Sequence, residues 1–321
     1  MYDRWNRKID YMRISVTDRC NLRCRYCMPE KIDLVPMGEI LRYEEILEVC
    51  REAVDLGITR FKITGGEPLV RLGCTDLICR LKKMDGVDQV TLTTNGILLY
   101  EKIEALKDAG IDGINISLDT LDPVKYEAIT GYHGLDKVMR SIHASLNAGL
   151  KIKINSVLLP GENEEDWEDL LGLARDLPLD VRFIELMPIG FGKGRSCFSN
   201  DQLMERIRNR YPGITPDPGR HGNGPAVYYR IPGFNGSLGL ISAVHGRFCS
   251  SCNRIRLTST GDLKPCLCYE DRISVKDAVR AGDRDKVRTL LRSAVDVKPR
   301  MHHFEEDRAV TESRKMVQIG G

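Results

Sequence analysis

Neither sign of charge dominates this chain: 48 Lys and Arg stand against 46 Asp and Glu. So balanced a sequence carries no broad positive field to draw it to nucleic acid or to an anionic membrane, and neither partner is expected. Long apolar runs are missing as well. The opening MYDRWNRKIDYMR contains none, so no signal peptide is expected, and no later stretch is long enough to span a bilayer. No internal repeat of fixed period and no low-complexity tract is visible. The six histidines begin only at His133. What the chain does have is eleven cysteines. Nothing suggests the oxidising compartment that disulfides need, so these thiols are expected to serve metals or chemistry in a reducing cytoplasm. With 321 residues and 42% hydrophobic content the chain can bury a large core, enough for roughly two or three domains.

Three of the cysteines, Cys20, Cys24 and Cys27, form a C-x3-C-x2-C array. Soft thiolates select iron–sulfur, copper or zinc centres, and three at this spacing can hold three irons of a [4Fe-4S] cluster. No fourth cysteine lies nearby, which leaves one iron open to a substrate or cofactor atom. A structural zinc site would ask for four closed ligands, usually in paired C-x2-C or C/H units.

Short β-rich runs alternate with helical patterns through the first two thirds of the chain. The spacing predicts strands at 13–16, 61–64, 90–93, 113–118, 151–155 and 181–185, and helices such as Tyr43 to Leu56 and Asp166 to Leu177. Asp122-Pro123 opens a helix, and Gly57, Gly110 and Gly149 each close one. About six β/α units argue an α/β fold, a partial TIM-type barrel. Polar residues gather at the strand ends, as in Thr64-Gly65-Gly66-Glu67, Thr93-Thr94-Asn95-Gly96, Ser117-Leu118-Asp119 and Glu185-Leu186-Met187. The cysteine array follows the first strand at the same rim, where such folds keep their functional residues. From about Gly190 the chain grows rich in Gly and Pro and the alternation fades. A boundary is expected there, giving a barrel over 1–195 and a smaller C-terminal domain over 196–321.

That second region carries its own constellation. Cys249 and Cys252 stand as C-x2-C, and Cys266 follows after thirteen residues. These three fit another cluster with an open corner; a zinc knuckle completed by Cys268 is the alternative. Between them lies Asn253-Arg254-Ile255-Arg256-Leu257. Strand alternation puts Arg254 and Arg256 on one face, apt for an anionic or phosphorylated ligand.

Tyr26 within the first array, and Gly65-Gly66-Glu67-Pro68 after the second strand, make the chain resemble the radical S-adenosylmethionine (SAM) enzymes. The second array, with Phe248-Cys249-Ser250-Ser251-Cys252-Asn253-Arg254-Ile255-Arg256-Leu257 and the closing Gly320-Gly321, narrows the resemblance to the GTP 3',8-cyclases of molybdenum cofactor biosynthesis. It covers essentially the whole chain. The resemblance implies two [4Fe-4S] clusters, one on Cys20, Cys24 and Cys27 with SAM on its open iron, the other on Cys249, Cys252 and Cys266 facing the guanine of GTP. It implies SAM contacts at Tyr26, Gly66, Ser117 and Met187. It implies GTP contacts at Arg13, Lys62, Thr93, Lys153, Arg254, the backbone of Ile255, and Arg256. Arg254, Arg256, Gly320 and Gly321 would support the reaction, the last two by entering the active site. A cation at an inward barrel position is costly without an anion; a barrel carboxylate such as Glu185 is the alternative partner.

The implied reaction opens with a 5'-deoxyadenosyl radical that takes hydrogen from C3' of GTP. The resulting radical closes onto C8 of guanine, and an electron and a proton complete (8S)-3',8-cyclo-7,8-dihydroguanosine 5'-triphosphate. The resemblance also implies a homodimer, an electron donor of flavodoxin or ferredoxin type, and a cyclic pyranopterin monophosphate synthase downstream. Another radical SAM enzyme with an auxiliary cluster, such as a peptide-modifying maturase, is the alternative. It would not need Arg254 and Arg256.

Overall fold

Apolar and polar residues alternate along each short β-run, and this alternation organises the chain. The computed structural model describes residues 1–28, 33–219, 221–306 and 309–320. In it β1 (Tyr11–Ser15) leads to α1 (Tyr43–Asp55), β2 (Arg60–Thr64) to α2 (Cys74–Lys82), and β3 (Gln89–Thr94) to α3 (Ile103–Asp108). Then β4 (Gly113–Ser117) leads to α4 (Pro123–Thr130) and α5 (Leu135–Asn147), β5 (Ile152–Ser156) to α6 (Trp167–Asp176), and β6 (Asp180–Ile184) to α7 (Asn200–Arg210). These strands pair in parallel and in sequence order. The Asp122 carboxylate accepts from the Val124 and Lys125 N–H groups, with Pro123 in the first helical turn. Gly57, Gly110 and Gly149 follow their helices with φ of +85°, +72° and +80°.

The remaining elements are β7 (Thr215–Asp217), β8 (Val227–Arg230), β9 (Leu238–Ile241), β10 (Arg254–Leu257), β11 (Asp262–Lys264) and β12 (Ile273–Ser274), followed by α8 (Lys276–Arg280), α9 (Arg284–Asp296) and α10 (Met316–Ile319). Here the structure goes beyond the expected six units. Strand β9 adds in parallel beside β6, and β10 in parallel beside β1. The sheet order is β12-β11-β10-β1-β2-β3-β4-β5-β6-β9-β8-β7. The fold is thus the expected partial α/β barrel, lengthened by strands from the C-terminal region. Residue 195 falls between β6 and α7, and the sheet runs on across it. Strands β9 and β10 are consecutive in the chain yet lie at opposite ends of the parallel run, so 242–253 must cross the barrel's open side. That crossing segment carries Cys249 and Cys252.

One parity of each strand builds the core. Met12 and Ile14, Phe61 and Ile63, Val90 and Leu92, Ile114 and Ile116, Ile152 and Ile154, and Val181 and Phe183 are buried in one cluster with the apolar faces of the helices. Each contributes about 1.5–3 kcal/mol by leaving water. The other parity faces a lumen, and it is polar: Arg13, Lys62, Thr93, Ser117, Asn155 and Arg182 line a cavity of about 340 Å³.

Candidate active site

The parallel register brings cations together. Arg13 of β1 stands opposite Arg256 of β10 on one side and Lys62 of β2 on the other, a row of three across neighbouring strands. Arg254 and Arg182 line the same cavity. Like charges side by side in a sheet repel, and buried charges without counter-ions are expensive. Burial and the positive neighbours Arg182 and Arg13 push the Lys62 ammonium well below its ordinary pKa, and burial with Arg13 and Arg254 does the same to Arg256. Among the described residues Lys62, Arg182, Arg254 and Arg256 form no ion pair. Buried Nε atoms of Arg182 and Arg254 have no hydrogen-bond partner.

Glu185 does not answer these charges. Its carboxylate accepts from the backbone N–H of Asn200 at 3.0 Å, Val244 at 2.8 Å and His245 at 2.9 Å, and faces His245 Nδ1 at 3.1 Å. It anchors the segment that crosses the barrel opening. Arg182 instead donates to Asn115 Oδ1 at 2.7 Å, whose amide donates to the Thr93 hydroxyl at 3.3 Å. A polar chain thus links β6, β4 and β3 across the lumen.

At the strands' C-terminal rim, Cys20, Cys24 and Cys27 all line the cavity, as do Tyr26, Gly66, Ser117 and Met187. The loop that carries them is locked from two sides. Gly66 and Glu67 donate to the carbonyls of Thr17 and Arg19 at 2.7 and 2.8 Å, and Arg23 and Arg25 donate to those of Thr130 and Ile129 at 2.7 and 3.0 Å. A Cβ on Gly66 would sit 2.4 Å from the Arg19 oxygen, so this glycine lets the cysteine loop dock on β2. Glu67 of the same turn is fixed by donors of its own chain. Its buried carboxylate accepts from Leu69 N–H at 3.0 Å, the Thr94 hydroxyl at 2.8 Å and Asn95 N–H at 2.7 Å, tying β2 to β3. Tyr26 donates to Asp119 at 2.7 Å.

Burial pushes the Cys20 thiol to about 11, Cys27 to about 12 and Cys24 well up. Ionising all three therefore asks for a strong local positive charge, which an iron cluster supplies. The surroundings fit one: Leu22 N–H and the Asn95 amide donate to Cys20 Sγ at 3.4 and 3.8 Å, and the backbone N–H of Val317 donates to Cys27.

Cys249, Cys252 and Cys266 line the same cavity from the opposite side. Lys298, only 2% exposed, lies beside Cys252 of this second triad. Its ammonium donates to the carbonyls of Arg254 at 2.7 Å and Pro265 at 2.8 Å, and to Cys252 Sγ at 3.7 Å. Burial opposes ionisation of Cys252, but Lys298 and Arg254 outweigh it and bring the thiol down to about 7. Arg7 donates to the Cys249 carbonyl at 2.8 Å and His302 N–H to Cys249 Sγ at 3.3 Å. Cys268 does not reach the cavity; it is fully buried in a small core with Ile189, Val244 and Phe304. Among the described residues no three Cys, His, Asp or Glu side chains close on a single metal ion. A knuckle zinc needs that closure, whereas a cubane spreads its thiolates over separate irons. Among the described residues each triad brings three thiols, and no fourth cysteine, to the cavity, a donor set that suits a cluster with one open corner.

The C-terminal tail enters the site. Met316 and Val317 line the cavity, and Arg256 donates to the Gly320 carbonyl at 2.5 Å. Gly320 has φ of +77°, and a Cβ there would meet Ser15 Cβ at 3.0 Å. Gly321 lies outside the described residues.

Comparison with known proteins agrees with this geometry. A model of the radical SAM superfamily matches residues 14–174, and one described as Molybdenum Cofactor Synthesis C matches 179–304. The GTP 3',8-cyclase of Alkaliphilus oremlandii is 45% identical over 327 residues, covering all of both chains. That of Clostridium perfringens is 42% identical over 323 residues, again covering both chains fully. The chain belongs to the GTP 3',8-cyclase family. Among solved structures, Streptococcus suis SuiB bound to S-adenosylmethionine superposes with a TM-score of 0.61 at 18% identity, over 89% of this chain and 68% of that one. The structure of anSMEcpe with bound AdoMet gives 0.56 at 15% identity, over 86% and 81%. These two likenesses speak for the fold alone.

Of the residues expected from the family, the structure gathers both cysteine triads, Tyr26, Gly66, Ser117, Met187, Arg13, Lys62, Thr93, Arg254 and Arg256 around one cavity. The Ile255 side chain is fully buried in the core, which leaves its backbone for any contact. Lys153 does not line this cavity; its ammonium is held by Asp180 at 2.8 Å. Sequence reasoning passed over Arg182, Lys298, Arg7 and His302. The lone cation inside the apolar run of β6 was a usable signal for Arg182. Lys298 and Arg7 act across 33 to 293 residues of chain, and nothing local marks them.

Proposed function

We propose that this chain converts GTP to (8S)-3',8-cyclo-7,8-dihydroguanosine 5'-triphosphate, the first step of molybdenum cofactor biosynthesis. The observation that carries this reading is the row Arg256, Arg13 and Lys62 between two cysteine triads on one lumen. When bound, a reduced [4Fe-4S] cluster on Cys20, Cys24 and Cys27 with SAM supplies the radical that takes hydrogen from C3' of GTP. Tyr26, Gly66, Ser117 and Met187 are placed to hold SAM at the rim. Cys249, Cys252 and Cys266 would hold the second cluster, with Lys298 favouring the Cys252 thiolate.

Arg13, Lys62, Arg254 and Arg256 bind the triphosphate, and guanidiniums in particular give it paired donors and a fixed orientation. Thr93, aligned by Asn115 and Arg182, offers a hydroxyl on the opposite wall. Gly320 holds Arg256 in place through its carbonyl. Walls of this kind exclude water and stray hydrogen donors, and positioning is the protein's main contribution. The proposal extends to a cytoplasmic homodimer, a flavodoxin- or ferredoxin-type electron donor, and delivery of product to a cyclic pyranopterin monophosphate synthase. A peptide-modifying maturase would have no use for so many cations on one lumen.

Anaerobic incubation of reconstituted protein with GTP, SAM and dithionite, followed by mass spectrometry, tests the assignment. A nucleotide isomeric with reduced, cyclised GTP, appearing together with 5'-deoxyadenosine, is expected. SAM cleavage that leaves GTP intact would count against it.

A further inference from the structure

Lys153 stands on β5 level with Asn115 of β4 and Asp180 of β6, yet it does not share the situation of the other lumen cations. Its ammonium donates to Asp180 Oδ2 at 2.8 Å, to the Tyr228 hydroxyl at 3.2 Å and to the backbone carbonyl of His221. An ammonium has three N–H donors, so all of them are committed.

Two of these acceptors belong to the β7–β8 hairpin, and its loop is firmly seated. His221 lies between two carboxylates, with Nδ1 3.0 Å from Asp180 Oδ2 and Nε2 2.9 Å from Asp217 Oδ2. Its ring stacks on Tyr228 with centroids 4.0 Å apart. Arg230 also donates to Asp217, at 2.9 Å. Further on, the Asn223 amide donates to the Gln89 side chain, and Gly224 and Pro225 line the cavity. Gln89, Lys153 and Asp180 all stand at the N-terminal ends of their strands, opposite the Cys20–Cys27 rim. Residues 221–225 of the hairpin loop therefore pass beneath β3, β5 and β6 as a floor to the lumen.

Resting on the reading of this lumen as a GTP site, the geometry points to a floor latch that the substrate displaces: the terminal phosphates of GTP take Lys153 from the His221 carbonyl and the loop is released. The exchange has a direction. A phosphate oxygen is a stronger acceptor for an ammonium than a neutral carbonyl or phenol, whereas Asp180, itself charged and on a strand, stays. Until the exchange occurs, the closed latch withholds Lys153 from the triphosphate. Apparent affinity is then reduced by the fraction of molecules in which the latch is closed. A guanosine without phosphates has nothing to offer Lys153 and leaves the loop in place.

Hydrogen–deuterium exchange on the reconstituted, full-length holoenzyme tests this, with GTP, guanosine and inorganic tripolyphosphate as separate probes. GTP and tripolyphosphate are expected to speed exchange in peptides covering 221–226 by about threefold or more, and guanosine to leave it unchanged. His221→Ala, which loosens the loop, should bind GTP about three- to tenfold more tightly. Tyr228→Phe, which frees one Lys153 donor and keeps the stacked ring, should move the same way by less. Protection of β10 by GTP with no response at 221–226, or weaker GTP binding in both variants, would overturn the latch and leave a rigid floor. Failure of the wild-type protein to protect β10 or to bind GTP at all would overturn the function proposed above, and the latch with it.

Discussion

At Lys62 the tension between folding and function is sharpest. The side chain shares its level with Arg13, and burial together with Arg182 and Arg13 depresses its pKa. The free lumen thus releases the Lys62 proton at lower pH than an ordinary lysine does, and a bound polyanion restores it. GTP binding should therefore take up protons in the window between the lowered value and the ordinary one. Affinity should be greatest below that window and fall as pH rises through it. Calorimetry in buffers of differing ionisation enthalpy reads the uptake directly, and a binding enthalpy independent of buffer would contradict it. Lys62→Met removes the uncompensated charge; it should stabilise the GTP-free protein by about 1–3 kcal/mol in thermal melts while weakening GTP binding at least tenfold. Individual residues of this kind were partly legible in the sequence, because a cation at the polar parity of a strand stands out. The donors that Glu67 takes from Thr94 and Asn95 were not legible, because they exist only once β2 and β3 pair.

Among the elements, the strands and helices of the first two thirds were readable, since apolar periodicity and the caps at Asp122, Gly57, Gly110 and Gly149 agree. Strands β9 and β10 were not read as part of the barrel. Each is only four residues long, and its place depends on pairing with β6 and β1 from far along the chain. Helix α10 is a sharper case: four residues that fray as a free tail but here bury Val317 and Ile319 and present the Gly320 carbonyl to Arg256. Deleting Gly320 and Gly321 should abolish cyclisation while leaving iron and sulfide content unchanged. Gly320→Ala, which meets Ser15 at a left-handed backbone position, should cost about 1–2 kcal/mol of tail docking and lower turnover in proportion. Full activity in the truncated chain, by product mass spectrometry, would remove the tail from the account.

Taken as a whole, the molecule is a barrel left open on one side and spanned there by the strap that carries Cys249 and Cys252, so each triad approaches the lumen from its own end. Sequence spacing found the triads; that they share a single cavity follows from the parallel register and the path of 242–253, which spacing could not convey. The most direct measurement is electron paramagnetic resonance of anaerobically reconstituted protein, read alongside its iron content. Intact protein should bind about eight irons per chain. A variant with Cys20, Cys24 and Cys27 all replaced by Ala should keep about four and show a reduced-cluster signal that shifts with GTP but not with SAM. A single cluster in the intact chain, or a second cluster whose signal ignores GTP, would contradict the account.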